Sequence, residues 1–141
     1  LAGARKMTIV NRTKEKADEL ADVINTHTKT PAESCKWTPS YVIPEDVDIL
    51  INATCVGFAP NVNEKPDIDY DSIREGLIVC DVVFNPCEPL FLKEAAKHGA
   101  VTVNGLGMLA CQGALNFTLW TGKEAPLDVM ENQLRKEFEE A

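Results

Sequence analysis

Between Leu77 and Val83 the chain reads L-I-V-C-D-V-V, apolar at every position but Asp81. Such a short, continuous apolar run is the signature of a strand buried on both faces, as in parallel sheets. Asp48–Ala53 (D-I-L-I-N-A) repeats it, and K-M-T-I-V over Lys6–Val10 is a third run of the kind. Helical patterns stand between the runs. After Asn11-Arg12-Thr13 comes a charged stretch with Ala17, Leu20, Ala21 and Ile24 at i, i+3, i+4 and i+7, an amphipathic helix for which Thr13 can serve as N-cap. Pro89 opens a helix carrying Leu92, Ala95 and Ala96, which ends at Gly99 and leads into a short strand, Val101-Thr102-Val103. Cys35-Lys36-Trp37, bounded by Pro31 and Pro39, is a further strand candidate. Apolar strands alternating with amphipathic helices predict a doubly wound α/β domain, a parallel sheet covered on both faces.

The ends of the chain add three helical signals. Leu106–Trp120 is rich in Leu and Ala with Gly122 beyond it, and Pro126–Glu140 places Leu127, Met130, Leu134 and Phe138 at helical spacing. Leu1-Ala2-Gly3 reads as a helix end, with Gly3 as the left-handed residue after it. One long loop, Gly57–Asp69, carries Pro60 and Pro66 and follows a strand's carboxyl end, where α/β proteins place ligands.

Composition narrows the possible functions. With 141 residues, 45% of them hydrophobic and 26% charged, the chain is the size and make-up of one globular domain. A net charge of -8 repels nucleic acid and anionic membrane surfaces, so an anionic ligand needs a local cationic site. Cys35, Cys55, Cys80, Cys87 and Cys111 are odd in number and form no C-x-x-C pair, which predicts reduced thiols in a cytoplasmic protein. Cys87 is assigned no chemistry. No stretch approaches the roughly 20 apolar residues of a membrane span. His27 falls after a helix end and His98 in a last turn; neither marks a catalytic site, and no His/Cys/Asp/Glu grouping has metal-ligand spacing.

The chemically most informative position is the end of the first strand. A dinucleotide-binding fold selective for NAD places Asp or Glu there to bind the adenosine 2′-hydroxyl. Here the residues are Asn11-Arg12-Thr13. An amide, a guanidinium and a hydroxyl at a helix N-terminus suit a 2′-phosphate, which a carboxylate would repel, and Lys14 and Lys16 add positive charge. Arg12 can also stack on an adenine face. Taken alone, the tripeptide reads as a strand exit followed by a cap, and only its context favours phosphate binding.

Four further motifs follow in order, and with them almost the whole chain resembles the C-terminal domain of the shikimate and quinate dehydrogenase family. Asn11, Arg12 and Thr13 match the family's 2′-phosphate-binding N-R-T. Ile51–Gly57 (I-N-A-T-C-V-G) resembles its I-N-A-T-S-x-G, with Cys55 in place of Ser, and implies that Thr54 and Cys55 lie on the cofactor's ribose and nicotinamide side. Asp81-Val82-Val83-Phe84-Asn85-Pro86 resembles D-x-x-Y-x-P, which implies Val82 beside the nicotinamide and puts Phe84 where a substrate-binding Tyr usually stands. Asn104-Gly105-Leu106-Gly107-Met108-Leu109 with Gln112, then Trp120-Thr121-Gly122, resembles the family's D-G-L-G-M-L-x-x-Q helix and its W-x-G ending. By that match Gly105 lets the backbone approach the nicotinamide carboxamide, Met108 packs on the ring, and Gln112 hydrogen-bonds the polyol; read without the motif, Gln112 is a polar residue facing water.

The resemblance implies NADP as cofactor, with Asn11, Arg12, Thr13, Lys16, Thr54, Cys55, Val82, Gly105 and Met108 on it, and Phe84 and Gln112 on a small-molecule substrate of the shikimate or quinate type. It implies an oxidoreductase interconverting 3-dehydroshikimate and shikimate. It also implies what has no match here: the glycine-rich pyrophosphate turn, the first strand, and the substrate domain with its catalytic Lys/Asp pair. Residues 1–141 then form a partial Rossmann domain whose helices over 106–141 pack toward the substrate domain. In the strand order 3-2-1-4-5-6 the unmatched strand is central. Its loss predicts unpaired strand edges and exposed apolar surface, and a chain that is part of a longer polypeptide or is completed by a second chain, for instance as a homodimer. Alternatives are a dehydrogenase of broader polyol specificity and a non-catalytic nucleotide-binding fragment; a glutamyl-tRNA reductase fits the Gly105–Gly122 stretch less well.

Overall fold

The computed structural model describes residues 3–139. The chain divides into two compact units, residues 1–41 and 42–141.

The first unit is a β-α-β crossover. Strand β1 (Met7–Asn11) is followed by helix α1 (Lys14–His27) and strand β2 (Ala32–Lys36). The strands pair in parallel from Met7↔Ala32 to Asn11↔Lys36. Helix α1 buries Ala17 and Ala21, small side chains that let it approach the strands closely. Leu20, predicted on the same stripe, is 50% exposed. Ala17, Ala21 and Ile24 lie within a narrow arc at 100° per residue, and Leu20 falls to its flank. The helix also runs through His27, which the sequence placed beyond its end. Gly3 has φ of +86°, as a residue closing a helix would; the helix end predicted at Leu1–Ala2 lies outside the described residues.

In the second unit, strand β3 (Tyr41–Val42) starts at the division. Then come β4 (Ile49–Asn52), β5 (Ile68–Asp69), a 3-10 turn (Tyr70–Ser72), β6 (Ile78–Asp81), helix α2 (Leu90–Lys97), β7 (Val101–Val103), helix α3 (Leu106–Thr121) and helix α4 (Leu127–Glu139). Strands β4, β6 and β7 form a parallel sheet in that order, with Ile49↔Ile78↔Val101 and Ile51↔Cys80↔Val103 in register. The sequence predicted alternation of strands and helices, with a long loop over Gly57–Asp69. Between β4 and β6 the chain runs as that loop, the short strand β5 and a single 3-10 turn, with no α-helix, because Pro60 and Pro66 interrupt any helical ladder there.

The doubly wound order with strand 1 removed consists of a pair and a triple, and the parallel ladders β2–β1 and β4–β6–β7 are that pair and triple. Within the second unit one sheet face is covered. Val79 there is fully buried, and α2 supplies Phe91, Leu92 and Ala95 to the same core. The opposite face is bare within the unit. Successive residues of a strand point to opposite sides, so the two rows Ile49, Ile78, Val101 and Ile51, Cys80, Val103 share a face; Ile51 is 57% and Val101 54% exposed. Runs that read as buried on both faces are therefore buried on one in this unit. Along α3, Met108, Gln112, Leu115 and Leu119 form a second exposed stripe at i, i+4, i+7 and i+11.

Candidate functional site

In the first unit the predicted phosphate-binding residues sit together where β1 hands over to α1. Asn11 ends the strand, and its Oδ1 accepts the Thr13 N–H at 2.9 Å. That bond folds the tripeptide into a tight turn and leaves Arg12 exposed at its apex. Thr13 occupies the N-cap position as predicted, but its hydroxyl makes no capping hydrogen bond; its side chain is exposed, as is that of Lys16. Lys14 is drawn away from this group. Its Nζ binds Asp18 Oδ1 and donates to Ser34 Oγ at 2.7 Å. Lys14 and Ser34 in turn hold the Asp18 carboxyl below the usual carboxylate range. Of the cations the sequence gathered here, Arg12 and Lys16 thus remain turned to solvent, and no carboxylate stands at the strand end.

In the second unit the carboxyl ends of β4 and β6 lie side by side. Asn52 closes β4 and Asp81 closes β6, and the two are 5% and 3% exposed. Asn52 Nδ2 donates to Asp81 Oδ1 at 3.0 Å, and Asp81 Oδ1 also accepts the Val83 N–H at 2.9 Å. Asn52 Oδ1 accepts both the Thr54 N–H and the Thr54 hydroxyl, at 3.1 and 2.7 Å, and Thr54 Oγ1 accepts the Val56 N–H. Asp81 Oδ2 is buried without a hydrogen-bond partner. Burial raises the Asp81 pKa above the ordinary Asp value, against the lowering effect of the Val83 and Asn52 hydrogen bonds. Sequence reading selected neither residue as functional. The available signal was a carboxylate interrupting an otherwise unbroken apolar run.

Val82 is half-buried and Cys55 exposed beside this pair of strand ends. Gly105 is buried at the start of α3; a Cβ there would meet the Val82 and Val83 carbonyl oxygens at 2.7 Å. The structure gives Gly105 this packing reason, whereas the resemblance gave it a cofactor-approach reason. Met108 and Gln112, four residues apart, present themselves on one exposed face of α3. Phe84 sits in an aromatic cluster the sequence did not reveal. It packs edge-to-face on Phe58 at 5.2 Å and on Phe138 of α4 at 5.6 Å between centroids.

Two shallow concavities, one of about 550 Å³ beside Ile43 and Arg74 and one of about 510 Å³ beside Pro126, contain none of these residues. Among the described residues no group of three His, Cys, Asp or Glu side chains could hold a metal ion, and no helix is long and apolar enough to cross a membrane.

The family model for the shikimate 5′-dehydrogenase C-terminal domain matches residues 105–135. A shikimate dehydrogenase (NADP(+)) of Methanococcus maripaludis is 41% identical over 138 residues, 98% of this chain and 49% of the relative. Among solved structures, the ligand-free 5-ketofructose reductase of a Gluconobacter species superposes with a TM-score of 0.89 at 38% identity, covering 97% of this chain and 49% of that one. A shikimate dehydrogenase in complex with NADP+ superposes with a TM-score of 0.84 at 32% identity, covering 95% and 55%. The chain therefore spans about half the length of the relatives it matches. Matched along nearly its whole length in both sequence and fold, the chain is similar to shikimate dehydrogenases over about half of their length, and its residues 105–135 match the model of their C-terminal domain.

Proposed function

We propose that this chain is the NADP-binding part of an oxidoreductase that interconverts 3-dehydroshikimate and shikimate. The observation that carries the reading is the turn at Asn11-Arg12-Thr13, which presents an exposed guanidinium at a helix N-terminus with no carboxylate at the strand end. Arg12 and Lys16 supply the charge for a 2′-phosphate, and Asn11 and Thr13 the polar contacts. In the second unit, the strand ends bearing Thr54, Cys55 and Val82, with Gly105 and Met108 following, receive the ribose and nicotinamide.

When bound, NADPH supplies a hydride to the substrate carbonyl carbon. This chain's residues bind and orient it, while Gln112 meets the polyol. The proton moves through the Lys/Asp pair of the family's substrate domain, and no residue here is assigned that role. Five free thiols suit a reducing, cytoplasmic setting.

A second reading keeps the chemistry and changes the substrate to quinate or a related polyol. It is favoured by Phe84, whose ring has no hydroxyl to offer and is enclosed by Phe58 and Phe138. The likeness to a 5-ketofructose reductase points the same way. Steady-state rates of the full polypeptide on shikimate, quinate and keto-sugar substrates, each with NADP and NAD, test both readings. A preference for shikimate with NADP supports the first. Turnover of the other substrates in preference to shikimate establishes the second, and preference for NAD overturns the assignment of Arg12.

A further inference from the structure

The Asn52–Asp81 pair is hydrogen-bonded to both loops that carry Thr54 and Val82, residues assigned above to the nicotinamide side. From Asn52, hydrogen bonds reach the Thr54 backbone and hydroxyl on one side and Asp81 on the other. From Asp81, a hydrogen bond reaches the Val83 N–H, next to Val82. The Val82 N–H in turn donates to the Asn52 carbonyl at 3.1 Å. Two loops from separate strands are thus tied through one carboxamide and one carboxylate oxygen.

We propose that Asn52 and Asp81 form a positioning unit that fixes the Thr54 loop and the Val82 turn relative to one another, and so sets the placement of the nicotinamide for hydride transfer. The inference rests on the reading that this end of the sheet receives the nicotinamide. Neither residue is presented to substrate; both act through Thr54, Val82 and Val83. The near-complete burial of two polar side chains supports the idea, since ordering such a pair is costly unless its hydrogen bonds are met in one geometry. Almost all of the hydrogen-bonding capacity of Asn52 is used, which leaves the pair little freedom.

Hydride transfer is sensitive to displacements near 1 Å, which can cost on the order of 100-fold in rate. Affinity for NADPH draws on the 2′-phosphate contacts at Arg12, which belong to the other unit. Loosening the pair should therefore separate kcat from KM. The test is made in the full polypeptide with Asn52→Ala, Asp81→Ala, their combination and Asp81→Asn, with thermal melting to confirm folding. The alanine variants should lower kcat by about 10–100-fold with KM for NADPH changed less than about threefold. The double variant should be no more than about threefold slower than the worse single one, because the residues act as one unit. Asp81→Asn, which keeps an acceptor for both Asn52 and Val83, should recover kcat to within about threefold of the parent. Should an alanine variant fail to fold, Asn52→Ser gives the same readout with a smaller perturbation. Unchanged kcat in folded variants, equal losses in kcat and KM, additive losses, or failure of Asp81→Asn to restore the rate would each overturn the proposal. A parent polypeptide that does not turn over NADPH would overturn the underlying reading along with it.

Discussion

Gly105 approaches Val82 so closely that a Cβ on residue 105 would meet the Val82 carbonyl oxygen at 2.7 Å. The obstacle is backbone, which cannot swing aside as a side-chain tip can. Gly105→Ala should therefore destabilise the full polypeptide by about 1–3 kcal/mol, the range for overpacking a tight site. Gly113 is a useful contrast, because a Cβ there would meet only the mobile end of Met130, at 2.9 Å from Cε. Gly113→Ala gains up to about 1 kcal/mol of helix propensity and should be neutral or stabilising. Denaturant midpoints of the two variants, with their slopes, check the contrast.

In the first unit, Arg12→Ala should weaken NADPH binding by about 1.5–3 kcal/mol, the value of a charge-assisted hydrogen bond, and leave NADH almost unaffected. Titration of both cofactors into the full polypeptide reads this directly. Equal loss for both would remove the 2′-phosphate role.

Asp81 should leave a signature in the pH dependence of stability. Burial raises its folded pKa above the ordinary Asp value of 3.8, so from about that pH upward the native state retains a proton that the unfolded chain has lost. Stability from this group is greatest below that window and falls as pH rises through the raised folded value. Asp81→Asn should consequently melt higher than the parent at neutral pH, with the difference shrinking toward pH 3. Parallel melting curves over the whole range would show that Asp81 carries no such penalty.

The bare face of β4–β6–β7 and the exposed stripe of α3 bear on how the 141 residues behave by themselves. Soluble monomers rarely leave contiguous apolar surface of this kind uncovered. The isolated chain is expected to self-associate or to unfold without a sharp transition, as read by size measurement and thermal melting. A compact, cooperative monomer would contradict this.

Much of this architecture is legible in local sequence, and the remainder is not, for identifiable reasons. The strands at Ile49–Asn52 and Ile78–Asp81 and the helices from Lys14, Leu90, Leu106 and Leu127 follow from apolar runs, periodicity and caps, within a residue or two. Leu20 was misplaced because a four-point helical stripe does not reveal which side of its arc faces the strands. Asn52 and Asp81 stand 29 positions apart, and only the parallel register Asn52↔Asp81 makes them partners. The same holds for Phe84, which meets Phe58 of another loop and Phe138 of α4 through packing and not through spacing. Asn11, Arg12, Thr13 and Lys16 were legible from the chemistry of the strand end, whereas Thr54, Cys55, Val82, Phe84, Gly105, Met108 and Gln112 came from motif resemblance, which identifies positions without supplying their contacts.

The division of the chain at Tyr41–Val42 has a consequence for how such a domain can change over time. The residues proposed to choose between NADP and NAD lie in one unit, and those proposed to orient the reacting ring lie in the other. None of the hydrogen bonds described for Asn52 and Asp81 involves Asn11, Arg12 or Lys16. Cofactor preference and reaction geometry are then separately heritable traits of one polypeptide, open to selection one at a time.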